Sequence, residues 1–163
     1  MNNLSTTVAA YDNETLAEKD WAALESAARA GSVYLADAAL VMRDGSGTVR
    51  TVHRQSHHGW GKGAVAGAVV GLLFPPAILA GAVAGAAGGG IVARLNRGLR
   101  RGDIKDLGDV MDSERISMVV LTDENSVRTL GEVLEGAIRT VSRASCSAEE
   151  LQEVISSEAA SPS

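Results

Sequence analysis

The sequence is poor in aromatic residues and in cysteine. Its 163 residues include one Phe, two Trp, two Tyr and one Cys. With so few rings, the core must be filled by Val, Leu, Ile and Ala, and few platforms remain on which nucleobases could stack. The single cysteine, Cys146, excludes an internal disulfide and a thiolate metal cluster, which favours a cytoplasmic protein.

A basic overall charge is also lacking, since the formal net charge is −5. This balance argues against general nucleic-acid binding, so we expect no nucleic-acid partner. The first twenty residues are polar, contain four acidic residues and lack an apolar h-region. They do not resemble a signal peptide, and we expect a protein that is not exported.

Charge is absent from the thirty-one residues between Gly63 and Ala93, which are mostly Gly, Ala and Val and are broken once at Pro75-Pro76. The two halves repeat each other with glycine at every fourth position. These glycines are Gly63, Gly67, Gly71, Gly81, Gly85 and Gly89. Residues four apart lie on one face of a helix, and a row of glycines there lets two backbones approach closely. The segment is predicted to be a self-packing helical hairpin.

The rest of the chain alternates strand and helix patterns. Predicted strands cover Thr6–Tyr11, Val33–Arg43, Thr48–His53 and Ile116–Thr122, and predicted helices cover Glu14–Ala30 and Gly102–Met111. The order β-α-β-β-(hairpin)-α-β indicates an α+β protein. It is the element order of a ferredoxin-like split βαβ sandwich, with the glycine-rich helical hairpin inserted between the third strand and the second helix.

A C-terminal extension follows this unit. We predict a helix over Val127–Gly136, a fifth strand over Ala137–Ser142 at the sheet edge, and a last helix over Ala148–Ser157 that begins with a capping box. The chain is accordingly divided into residues 1–58, the first half of the α+β domain; 59–96, the hairpin; 97–142, the second half; and 143–163, the C-terminal helix and tail.

Several of these features occur together in one known family. They are the Asp44-Gly45-x-Gly47 turn, the Gly61-Lys62-Gly63-Ala64 start of the glycine repeat, the Pro75-Pro76 break and the Arg-rich linker that follows. In this combination the chain resembles the bacterial domain-of-unknown-function family DUF1269, whose members are commonly labelled predicted membrane proteins. The resemblance covers roughly Thr6–Thr122 and implies an architecture and membrane association, but no catalytic residues.

The hairpin allows more than one interpretation. A spanning helix needs about 20 apolar residues, whereas the arms Gly63–Phe74 and Ala77–Ala93 contain 12 and 17. A re-entrant hairpin that enters one leaflet fits these lengths better, with basic flanks at the headgroups of anionic lipid. The residues assigned to membrane or headgroup contact are Trp60, Lys62, Phe74, Arg94, Arg97, Arg100 and Arg101. The alternative is a water-soluble homo-oligomer whose hairpins pack between subunits.

Few residues suggest chemistry. His53, His57 and His58 have metal-like spacing, but no Asp or Glu occurs from Gly45 to Gly102, so a metal site has weak support. The acidic residues Asp106, Asp109, Asp112 and Glu114 are typical of a solvated face. The glycines lack the strand, the Lys-Ser/Thr pair and the distal acid of a nucleotide site. We therefore expect no cofactor, no metal and no enzymatic activity.

The leading hypothesis is a non-enzymatic cytoplasmic protein that forms homo-oligomers and attaches to the inner face of the plasma membrane through its glycine-zipper hairpin. The second hypothesis is a soluble self-assembling protein, such as a stress or compartment component. A small-ligand or metal-binding protein is the third. The predicted partners are the protein itself and an anionic membrane surface.

Overall fold

The computed structural model describes residues 3–56, 97–147, 149, 150 and 153. The strands are β1 (Asn3–Tyr11), β2 (Leu35–Arg43), β3 (Val49–Ser56), β4 (Ile116–Asp123) and β5 (Arg139–Ser147). The helices are α1 (Glu14–Arg29), α2 (Arg101–Ser113) and α3 (Val127–Val133), and a 3-10 turn over Glu124–Ser126 precedes α3. The described part of the chain is thus α+β, as predicted, and each predicted element outside the hairpin and the last helix has a counterpart.

All five strands form one antiparallel sheet in the order β3-β2-β4-β1-β5. Strands β1 and β2 both run antiparallel to β4, which lies between them, so helix α1 joins two parallel strands that are separated by a third. The same relation holds for β3 and β4 around β2. The connection through α1 is therefore a split βαβ unit.

Helices α1 and α3 cover one face of the sheet. Trp21 and Leu24 of α1 and Leu130 of α3 join a buried cluster with Ala9 of β1 and Met118 of β4. Helix α2 lies on the other face, where the Ser117 hydroxyl donates to the Met111 carbonyl across 3.5 Å. Ser117 and Met118 are neighbours in β4, and successive side chains of a strand point to opposite faces. The sheet is covered on both sides.

The ferredoxin-like assignment is not confirmed at this level of detail. A ferredoxin-like sandwich packs both crossover helices on one face of its sheet, whereas α1 and α2 lie on opposite faces here. The reason lies in the central strands, because β1 and β4 are buried at nearly every position. A strand without apolar/polar alternation needs cover on both faces. The inserted hairpin lies outside the described residues.

Local signals placed several boundaries correctly. The Asn13 side chain caps α1 by accepting from the Leu16 amide at 3.2 Å. The helix ends at Arg29, and Gly31 takes a φ of 77°, a left-handed conformation that favours glycine. In the β2–β3 turn the Asp44 carboxylate accepts from the Ser46 and Thr48 amides. Hydrogen bonding, chiefly from the Ser46 hydroxyl, lowers the pKa of Asp44.

Candidate functional site at the base of the glycine-rich segment

The chain leaves and re-enters the described fold at one end of the sheet. At this end, one row of paired residues crosses all five strands. In sheet order the row contains Ser56 of β3, Asp37 of β2, Leu121 of β4, Thr6 of β1 and Arg143 of β5. Arg143, at the far end of this row, contacts the first turn of α2, where the chain returns. Adjacent strands are about 4.8 Å apart, so the row is about 19 Å wide. Residues 57–96 therefore connect two points on the same side of the domain.

On the outgoing side, strand β3 is fastened to α1 by His53. The His53 Nε2 atom lies 2.7 Å from Glu18 Oε2 and 3.0 Å from Glu18 Oε1. The imidazole stacks on the Trp21 ring, with 5.5 Å between centroids and 19° between planes. The Trp21 Nε1 group in turn donates to Glu25 at 3.1 Å. These contacts hold the edge strand to the helix three residues before β3 ends.

This cluster accounts for one of the three histidines considered as metal ligands. The acidic residue that contacts His53 is Glu18 of α1, which lies 35 residues earlier in the chain. Sequence spacing therefore gave no sign of this contact. His57 and His58 lie outside the described residues. Within residues 3–56, 97–147, 149, 150 and 153, no group of three or more potential metal ligands occurs.

On the returning side, Arg97, Arg100 and Arg101 are exposed. None of them belongs to an ion pair among the described residues. Arg100 and Arg101 stand at the N-terminus of α2, where the helix dipole is positive and cations are unfavourable. The three arginines therefore concentrate positive charge at this point of the surface, where Asp103 is the acidic residue in the first turn of α2.

Arg97 and Arg101 are four positions apart but do not belong to one continuous helix. Arg97 and Gly98 are helical, but the helix is interrupted before α2 begins. Arg100 is extended, with φ −73° and ψ 157°, and its amide donates to the Asp103 carboxylate at 3.1 Å. Leu99 is only 3% exposed. Because Leu99 turns into the core, Arg97 and Arg101 do not share one continuous helical face.

The acidic run of α2 forms exposed ion pairs, in line with the predicted solvated face. Asp106 contacts Arg143 of β5 at 2.8 Å, and Asp112 contacts Arg43 of β2 at 2.8 Å. Asp109 contacts Lys105 at 2.9 Å, and this hydrogen bond raises the pKa of Lys105. A cavity of about 340 Å³ lies between α2 and β5 beside these pairs. The two carboxylates that line it, Asp106 and Asp109, are paired with Arg143 and Lys105.

A buried polar contact was missed at the level of sequence. The Asp20 carboxylate, 1% exposed, accepts from the Tyr11 hydroxyl and from the Gly136 amide, both at 2.9 Å. It thereby ties α1 to β1 and to the loop between α3 and β5. Burial, reinforced by the Asp20 hydrogen bond and charge, raises the pKa of Tyr11. The position of Asp20 on the apolar face of α1, beside Trp21, was the available signal.

Most of the predicted association residues cannot be placed. Those outside the described residues are Gly63, Gly67, Gly71, Gly81, Gly85, Gly89, Trp60, Lys62, Phe74 and Arg94. In the described part of the chain, no helix combines the length and the apolar character needed to cross a bilayer.

Comparison with known proteins places the chain in a family. No curated protein and no solved structure gives a significant match. A family model described as "Protein of unknown function (DUF1269)" matches residues 61–157, more than half of the chain. The match begins later than the expected Thr6 and runs well beyond Thr122, so most of the C-terminal extension is shared with the family. The chain belongs to the DUF1269 family, as its glycine-rich segment and flanking motifs indicated.

Proposed function

We propose that this protein is a non-enzymatic membrane-associating and self-associating protein that acts through its glycine-rich segment. The observation that carries the proposal is the doubled four-residue glycine period of an uncharged stretch between basic flanks. Such spacing suits close helix–helix packing, and the two arms are too short for a double crossing. A re-entrant or peripheral hairpin fits their lengths.

The geometry at the base of the segment supports this proposal. The chain departs from β3 and returns to α2 at the same end of the sheet, as expected for a hairpin whose two arms start and end on one side of the domain. At the return point, three exposed arginines have no partner among the described ion pairs. Each Lys or Arg near an anionic surface contributes about 1 kcal/mol to binding. Arg97, Arg100 and Arg101 are thus suited to lipid headgroups.

Vesicle flotation of the full chain tests the arginine contribution. We expect the variant with Arg97, Arg100 and Arg101 replaced by Gln to bind anionic vesicles about 100-fold more weakly, since three contacts supply about 3 kcal/mol. The matched control replaces Arg29, Arg50 and Arg128 by Gln, which removes the same charge elsewhere on the surface. Equal losses in both variants would show that only net charge matters, and no binding by the unmodified protein would refute membrane attachment.

The second candidate is a soluble assembly in which hairpins of neighbouring subunits pack against each other. The same glycine period favours it, because small side chains allow close backbone contact with or without lipid. This candidate requires a large particle whose mass does not change in mild detergent, and which dissociates upon Gly67→Leu or Gly85→Leu substitution. A monomer in plain buffer would contradict it.

A further inference from the structure

The side of the sheet that carries α2 is buried at β2 and β4 as well. Ser117 of β4 faces α2, and side chains two positions apart on a strand point to the same face. Val119 and Leu121 therefore lie on this face. Their partners in β2, Ala39 and Asp37, lie on it too, because directly paired residues point to the same side. These four residues, here called the β2–β4 face, are between 0% and 3% exposed.

Helix α2 does not account for this burial. It packs on β1 and β5, and its first turn contacts Arg143 of β5. Its last turn reaches β4 and β2 at Ser117 and Arg43, at the end of the sheet opposite to the one where β3 ends. Strand β2 lies two strand intervals, or about 10 Å, from β1, whereas a helix with its side chains has a radius of about 5–6 Å. Asp37 and Ala39 therefore lie beyond the reach of α2.

The position of the chain ends points to what covers the β2–β4 face. Helices α1 and α3 lie on the opposite face, so no helix in the described part of the chain covers it. Residues 57–96 leave β3 at Ser56, which pairs directly with Asp37, and return at α2 beside Arg143. The row of paired residues between these two points crosses β2, β4 and β1. This segment thus starts and ends on either side of the β2–β4 face.

Composition favours the same segment over the C-terminal tail. Gly63–Ala93 is uncharged and consists mostly of Gly, Ala and Val, and the β2–β4 face is apolar except for Asp37. Burial of apolar surface against apolar surface is favourable. The basic residues Lys62 and Arg94, which flank the segment, are opposite in charge to Asp37. Residues 148–163 contain four Glu and no Lys or Arg, and like charges repel.

We propose that the glycine-rich segment Gly63–Ala93 docks on the β2–β4 face of its own domain and completes the core on the α2 side of the sheet. Glycine permits a close backbone approach, which suits a segment that lies against a sheet. This docking goes beyond the proposed function, since it requires neither a membrane nor a second copy of the chain.

Nuclear Overhauser effects between methyl groups of the full chain, in buffer without lipid, test the docking. With Ala, Val and Leu methyls labelled, Val119 and Leu121 should show cross-peaks to alanine methyls of Gly63–Ala93. Ala38 and Val120 are the matched controls, because they lie in the same two strands and face the buried cluster beneath α1. They should show cross-peaks within that cluster and none to the segment.

A mixed sample separates the chain's own segment from that of a neighbour. One copy carries labelled Val and Leu methyls and the other carries labelled Ala methyls, so only contacts between copies give cross-peaks to alanine. We expect none in this sample. Cross-peaks there would assign the face to a neighbouring subunit and overturn the proposal.

Two further results would overturn the docking. One is a set of cross-peaks from Leu121 to Leu151 or Val154 of the C-terminal tail in place of the segment. The other is the absence of any cross-peak between the β2–β4 face and Gly63–Ala93 in the uniformly labelled protein. Neither sample contains lipid, so failure of the docking and failure of membrane attachment are separate results.

Discussion

The buried contact between Tyr11 and Asp20 allows a quantitative test of the fold. Tyr11 is fully buried, and its hydroxyl donates to the Asp20 carboxylate at 2.9 Å. Tyr11→Phe removes this hydroxyl and keeps the ring in the core. Asp20 would keep the hydrogen bond from the Gly136 amide, so the substitution deletes one contact and retains the packing.

The expected loss follows from the nature of this hydrogen bond. Hydrogen bonds to charged groups contribute about 1.5–3 kcal/mol to stability. We therefore expect Tyr11→Phe to lower the free energy of unfolding at pH 7 by about that amount. A solvent-exposed tyrosine would lose much less, because water would replace the partner.

The effect should depend on pH. Burial raises the pKa of Tyr11 above its ordinary value of 10.0. Because the folded-state pKa is the higher one, the stabilisation is complete below about pH 10 and declines as the pH rises further, by about 1.4 kcal/mol per unit. The unmodified protein should lose its advantage over Tyr11→Phe about one to two units above pH 10.

Urea unfolding followed by circular dichroism, from pH 7 to pH 11.5, measures both effects. Tyr34→Phe is the control, since it leaves Tyr11 as the single tyrosine and should retain the steep loss of stability at high pH. Equal stability of Tyr11→Phe and the unmodified protein at pH 7, or parallel pH profiles above pH 10, would refute the assigned contact.

Three further substitutions test the packing and the ion pairs. Gly136→Ala should lower the free energy of unfolding by about 1–3 kcal/mol, because a Cβ there would lie 3.1 Å from the Leu16 Cβ. Thermal unfolding measures this loss, and an unchanged melting temperature would contradict it. Gly108→Ala should instead raise the free energy of unfolding by about 1 kcal/mol, since the position is inside α2 and has no atom within 4 Å of the added carbon. A loss of stability would show that the added carbon does not fit at this position. Arg143→Ala should cost about 0.5–1 kcal/mol at low salt and less at high salt, because its pairs with Asp103 and Asp106 are partly exposed; a salt-independent loss would point to packing instead.

Sequence patterns located elements whose signals are local. The Ser147–Glu150 capping box depends on neighbours within a few residues, so spacing alone revealed it. Strand β5 was placed correctly at the sheet edge but ended too early. It runs to Ser147, five residues beyond the predicted Ser142, because pairing with β1 outweighs the weak strand preference of Ala and Ser.

Contacts between distant parts of the chain were out of reach. Glu18 reaches His53 across 35 positions, and Arg143 reaches Asp106 across 37, and no spacing rule connects such residues. The placement of α2 on the second face of the sheet was also missed. The consecutive apolar residues Met118–Leu121 of β4, which do not alternate with polar ones, were the available sign that the sheet needed cover on both faces.

The central claim concerns the glycine-rich segment, and flotation with anionic vesicles tests it most directly. The full chain is compared with a variant that lacks Gly63–Ala93. The nine residues left between Ser56 and Arg97 can span about 30 Å, more than the roughly 19 Å width of the sheet. Circular dichroism establishes that the shortened domain is folded. The full chain should float with the vesicles and the shortened chain should remain in the soluble fraction; equal distribution of the two would contradict the account.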